Sequence, residues 1–62
     1  MDYDVMIKKF GGWSSVDTID EPLTKKEYLD LLDPVGDKAL AKEINEADDF
    51  KVIESGRYDL LD

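Results

Sequence analysis

Tyr3-Asp4-Val5-Met6-Ile7-Lys8-Lys9-Phe10-Gly11-Gly12-Trp13-Ser14-Ser15-Val16-Asp17-Thr18-Ile19 is the stretch on which the fold turns. Tyr3, Val5 and Ile7 fall on alternate positions, the period of a strand with one face toward a core. Gly11-Gly12 tolerates the positive φ angles of a tight hairpin, and Trp13 to Ile19 reads as the returning strand. A two-residue loop at Gly11-Gly12 predicts Phe10 opposite Trp13, Lys8 opposite Ser15, Ile7 opposite Val16 and Val5 opposite Thr18. That register gathers β-branched residues on one face. It stacks Phe10 on Trp13 beside the turn on the other.

Asp20-Glu21-Pro22 ends the second strand, and Leu23-Thr24-Lys25-Lys26-Glu27-Tyr28 carries the chemistry of a helix start. Thr24 is the expected N-cap and Glu27 its capping-box partner, with Leu23 stapled onto Tyr28. Tyr28, Leu31 and Leu32 make the predicted buried stripe with Leu29 on its flank. Asp33-Pro34 is expected to stop the helix, because proline disfavours helical geometry in the residue before it. Asp37 is a second N-cap candidate, and Leu40, Ala41, Ile44 and Ala47 recur at helical spacing up to Asp48-Asp49.

Phe50-Lys51-Val52-Ile53-Glu54 reads as a third strand, and Ser55-Gly56 offers a turn into Arg57-Tyr58-Asp59-Leu60-Leu61, with room for a fourth. The order β-β-α-α-β predicts an α+β domain over residues 1–62: a small antiparallel sheet with two helices packed on one face.

Composition bounds what such a domain does. The 62 residues contain no cysteine and no histidine. Disulfides, thiolate nucleophiles and the commonest metal ligands are thereby excluded, along with the usual general base near neutral pH. The residues around Met1 to Phe10 have no apolar signal-peptide core, and no apolar run approaches membrane-spanning length. The expectation is a cytoplasmic protein. A formal net charge of −8, from 16 acidic and 8 basic side chains, is shared between the two halves of the sequence. Nucleic acid and anionic membranes repel such a surface, and a basic protein attracts it.

The acidic residues form two apparent rows, Glu27, Asp30 and Asp33 on the first helix and Glu43, Glu46 and Asp49 on the second. A three-residue spacing sets carboxylates about 4.5 Å apart along a helix, loosely commensurate with the roughly 3.4 Å spacing of phosphates on one DNA strand. The sharp reading is a decoy that imitates nucleic acid; the plain one is a solvated helix face, with Lys26 and Lys42 supplying internal neutralisation. Phe10 and Trp13, with Tyr3 and Tyr58 near them across the sheet, form the second candidate contact, because aromatic residues dominate binding hot spots.

Other chemistries fit poorly. The carboxylates of Asp17 to Glu21 and of Asp33 to Asp37 lack the alternation of a calcium loop, and Gly11-Gly12 lacks the context of a phosphate loop. A helix-turn-helix reading fails on charge, since Glu43, Glu46, Asp48 and Asp49 would meet phosphate with the wrong sign. No cofactor, no metal and no enzymatic activity are expected.

In size and charge the chain is similar to the small acidic inhibitors that bacteriophages use against host nucleases, restriction systems and polymerases, some of which imitate nucleic acid. The likeness is compositional and carries over no residue. It implies a protein-binding module that blocks a basic, nucleic-acid-handling protein without touching nucleic acid itself. The alternative is an assembly subunit that docks or forms a homodimer through its hairpin and sheet edge.

Overall fold

In the computed structural model, which describes residues 1–61, strands β1 (Tyr3–Lys9), β2 (Gly12–Ile19) and β3 (Asp49–Glu54) form one antiparallel sheet in the order β2-β1-β3. Helices α1 (Lys25–Val35) and α2 (Lys38–Glu46) lie together on one face, giving a two-layer slab of 32 × 29 × 14 Å. The expected α+β architecture holds. The two hairpin strands are sequential, whereas β3 must return past both helices to pair with β1.

Strand alternation sends Val5 and Ile7 of β1 toward the helices. There they join Tyr28 and Leu32 of α1 and Ile44 of α2 in the buried core, with Leu29, Leu40, Ala41, Ala47, Phe50 and Val52 packed around them. Each of the larger of these side chains contributes about 2 kcal/mol when fully buried. Leu31, expected in the stripe, is instead half exposed. Tyr28 and Leu32 sit one turn apart toward the sheet, and Leu29 completes the inner face on the other side.

The hairpin differs from its expected register. Lys9 pairs with Gly12, so Phe10-Gly11 makes the turn, with φ of 55° and 80°, the left-handed pattern of a type I′ turn. Lys8 therefore faces Trp13 rather than Ser15, Ile7 faces Ser14 rather than Val16, and Val5 faces Asp17 rather than Thr18. A one-residue irregularity between Val5 and Met6 leaves Val16 unpaired. That bulge resets the parity of β2, so Val16 and Ile19 still reach the core while Trp13 lies on the opposite face. Phe10 is fully exposed and stacks on nothing.

Pro34 does not stop α1. The helix runs one residue past it and closes at Gly36, whose φ of 72° allows its own amide to bond the Asp33 carbonyl while the Asp37 amide bonds that of Leu32. This paired closure ends the helix through glycine's left-handed freedom. Proline in the last turn sacrifices only one bond to the turn below. Both expected N-caps form: Thr24 and Glu27 exchange side-chain-to-amide bonds at 3.2 and 3.0 Å, and Asp37 accepts the Leu40 amide at 3.2 Å. Residues 57–61 do not make a fourth strand; Tyr58–Leu60 is a short 3-10 turn.

Two substitutions test these local terms by urea unfolding. Phe10→Asn is expected to stabilise the protein by about 1 kcal/mol, because asparagine tolerates the left-handed region that a bulky side chain resists. Thr24→Ala is expected to cost about 1 kcal/mol through loss of the cap.

Candidate functional site

The sheet's outer face, away from the helices, has its own small interior. Pairing aligns Asp4 with Thr18 and Ile53, Met6 with Ser15 and Lys51, and Lys8 with Trp13 and Asp49. Asp4, Met6 and Ile53 are buried there. Near the hairpin, the Nζ atoms of Lys8 and Lys51 lie 5.8 and 5.3 Å from the Trp13 ring. Lys51 belongs to the far strand, roughly two strand spacings from β2, so the indole and the lysine stem together span β1, where Met6 is buried.

At the other end of this face, the Asp4 carboxylate accepts bonds from the hydroxyls of Tyr58 (2.7 Å), Ser55 (2.9 Å) and Thr18 (3.3 Å). The Tyr58 bond, then that of Ser55, holds the Asp4 carboxyl below the usual carboxylate range, against the upward push of burial, with Thr18 adding to the lowering. Tyr58 is raised in turn, first by its bond to Asp4 and then by that residue's charge. Asp4 thus ties the C-terminal turn onto the sheet. On the helix side, the Tyr28 hydroxyl donates to Asp17 Oδ2, and burial, that bond and the nearby carboxylates raise the Tyr28 phenol well above its ordinary value.

The acidic rows predicted on the helices resolve differently. Glu27, Asp30 and Asp33 all stand exposed on α1, but the Glu27 carboxylate is engaged by the Thr24 cap, which also lowers its pKa. On α2 only Glu43 and Glu46 form a row, because the helix ends at Glu46. Asp49 belongs to β3, opposite Lys8. The helices are also close to neutral: Lys25 and Lys26 offset Glu27, Asp30 and Asp33, and Lys38 and Lys42 offset Glu43 and Glu46.

The unbalanced charge lies elsewhere. Register places Asp2, Asp4, Asp17, Asp20, Glu21 and Glu54 at the end of the sheet where β1 begins, and the Tyr58–Asp4 bond brings Asp59 to the same end. Arg57 pairs there with Asp59 at 3.3 Å. Asp2, Asp20 and Glu21 rim a notch of about 500 Å³ whose apolar lining is Ile19, Leu23 and Leu31. The opposite end holds Lys8, Lys9 and Lys51 around the hairpin tip together with Asp48 and Asp49, which lie beside Lys8, so that end is mixed in sign while the first is strongly acidic. Carboxylates distant in sequence are concentrated at the acidic end because β1 and β2 are antiparallel, which brings residues 2–4 beside 17–21.

The predicted aromatic cluster does not assemble. Trp13 is at the tip end of the outer face, Tyr58 at the Asp4 end, and Tyr3 on the helix side. The Trp13 Nε1 atom is buried and finds no acceptor among the described residues. Both open sheet edges carry a local block. Bonding of the Ser55 amide to the Asp2 carbonyl sets the ladder's parity, so Phe50 and Val52 turn their amides outward on β3. Asp49 takes the Phe50 amide at 2.8 Å, and Asp17 takes the Thr18 amide of β2 at 2.8 Å. These bonds blunt the edges. Sequence pattern did not reveal the notch or the Asp4 network; the one available signal was an aspartate at an interior strand position, where charge is depleted.

No group of carboxylates among the described residues is arranged to hold a metal ion, and no helix is long and apolar enough to cross a membrane. No protein-family model, curated protein or solved structure matches the chain.

The hydrogen-bonded carboxylates predict a pH profile. Asp4 and Glu27 are held low in the fold, so the unfolding chain takes up their protons first. Their stabilisation is present above about pH 4, the unfolded value, and is lost as pH falls through the folded values. Tyr28 and Tyr58 are held high, so theirs is present below about pH 10 and lost as pH rises further. Urea midpoints measured from pH 2 to 11 should show both limbs. Asp4→Asn should flatten the acid limb, and Tyr28→Phe should cost about 1 kcal/mol at pH 7 through the lost hydroxyl bond.

Proposed function

We propose that this protein is a binding module that engages a basic, nucleic-acid-handling protein through its acidic end and acts by occupying that protein's surface. The supporting observation is the concentration of Asp2, Asp20 and Glu21 around an apolar notch. None of these three carboxylates makes a side-chain hydrogen bond or ion pair among the described residues, so their charge remains available to a partner. An apolar floor inside a charged rim resembles a recognition surface, where the apolar centre supplies affinity and the rim steers the encounter. Helical Asp30, Asp33, Glu43 and Glu46 extend the negative field, though their lysine neighbours moderate it.

The function is that of an inhibitor or nucleic-acid mimic in the cytoplasm rather than an enzyme. Histidine and cysteine are absent, and the carboxylates of Asp4, Asp17 and Glu27 are committed to structural bonds. Nucleic acid and anionic membranes are disfavoured as direct partners by the net charge of −8.

The test is affinity capture from lysate at low salt with elution on a rising salt gradient, followed by competition with nucleic acid. A single nucleic-acid-binding protein that elutes late and is displaced by its own DNA or RNA is the expected outcome. The double variant Asp20→Lys, Glu21→Lys should lose at least tenfold in affinity for it. Asp30→Lys, Glu46→Lys should lose less. Equal losses would return the contact to the helix rows, and undiminished binding by both variants would overturn the electrostatic reading.

A further inference from the structure

The hairpin tip and the acidic notch are complementary in a way that neither the core nor the helices require. Phe10 is fully exposed, at 101% of its reference area, while its backbone sits in the left-handed region at φ 55°. Asparagine or glycine at this place would relieve the backbone and remove an aromatic ring from water. Folding therefore gives no reason for phenylalanine here. Lys9 adjoins it, and Gly11 beyond it has open space around its backbone, so the ring projects without a neighbour on that side.

The notch presents the opposite character: Ile19, Leu23 and half-exposed Leu31 inside a rim of Asp2, Asp20 and Glu21. Its volume of about 500 Å³ lies within the range of sites that enclose organic groups. Tip and notch stand at opposite ends of β1, a strand of 7 residues, and at about 3.3 Å per residue no tip reaches the notch of its own molecule.

We infer that the notch receives the Phe10 tip of a second copy of this chain, with Lys9 meeting the carboxylate rim, in a head-to-tail contact. Both halves of this contact are present in one molecule: an exposed ring beside Lys9 on the tip, and an apolar lining beside carboxylates in the notch, with Asp48 and Asp49 set back at Lys8. Because the two patches differ, the contact is heterologous and repeats along an open chain rather than closing on itself. It is also weak. A single aromatic anchor buries roughly 150–250 Å², far below a standard interface, and the net charge of −8 on every copy opposes approach. Association is expected at protein concentrations on the order of 0.1–1 mM, in about 0.15 M salt where repulsion between whole molecules is screened. This contact is independent of the basic-protein reading, although it uses the same notch and would compete with such a partner.

Sedimentation velocity and amide chemical shifts, followed against protein concentration, test it. The expected result is concentration-dependent association with shifts confined to residues 1–3, 9–13 and 18–31. Phe10→Asn and Leu31→Lys, both at exposed positions, should each weaken self-association at least tenfold. Mixed together they should form a one-to-one dimer that grows no further, since one variant keeps its notch and the other its tip. A chain monomeric at 1 mM overturns the inference. So does wild-type association by either variant alone, a mixture that stays monomeric, or shifts centred on the edge of β3.

Discussion

The structure depends on burying its central strand from both sides. Val5 and Ile7 of β1 face two helices, while Asp4 and Met6 face a second covering made by Trp13, Ile53 and the C-terminal turn. A three-stranded sheet with only one covered face would leave Met6 and Ile53 in water, and a domain of 62 residues has little apolar surface to forgo. The second covering is assembled from polar parts. Lysine amines meet an indole across this face, and three hydroxyls satisfy Asp4, so the outer face is closed without a second large hydrophobic layer.

Asp4 is the most consequential polar residue in this arrangement. A buried carboxylate costs free energy unless its oxygens are satisfied. Thr18 from β2, Ser55 from the turn after β3 and Tyr58 from the 3-10 turn together satisfy it. One side chain near the start of the chain therefore fixes the position of residues more than fifty places away. The same convergence draws Asp2, Asp20, Glu21 and Asp59 to one end of the molecule, so the polarised charge follows from how the core's outer face is closed.

The other end is shaped by the hairpin. Moving the turn by one residue, from Gly11-Gly12 to Phe10-Gly11, puts an aromatic residue in a left-handed position and gives Trp13 a place beside Lys8. The Val16 bulge then restores the face needed by the core. Lys8, Lys9 and an exposed aromatic gather at this tip beside Asp48 and Asp49, while Asp2, Asp20, Glu21 and an apolar notch gather at the other end. Strand direction converts a sequence without an obvious charge pattern into a molecule with two chemically distinct poles.

Local pattern was enough to determine the three strands and the two helix starts. Alternation announced the strands, the Thr24–Glu27 pair and Asp37 announced both helix starts, and the recurrence of Leu40, Ala41, Ile44 and Ala47 announced the face of α2. These signals depend on neighbours within one helical turn or one strand period, so they are legible without knowing the rest of the chain. Tertiary structure decided the remainder. The helix α1 runs through Pro34 and closes at Gly36, the bulge sets the hairpin register, and packing against the sheet exposes Leu31 while burying Leu29's side of the helix. The apparent acidic row ending at Asp49 dissolved because α2 stops at Glu46, and the notch and the Asp4 network arose from residues far apart in sequence. Spacing along a chain reports a face only while one element continues; which faces meet is set by long-range burial and hydrogen-bond satisfaction, and these exist only in the folded protein.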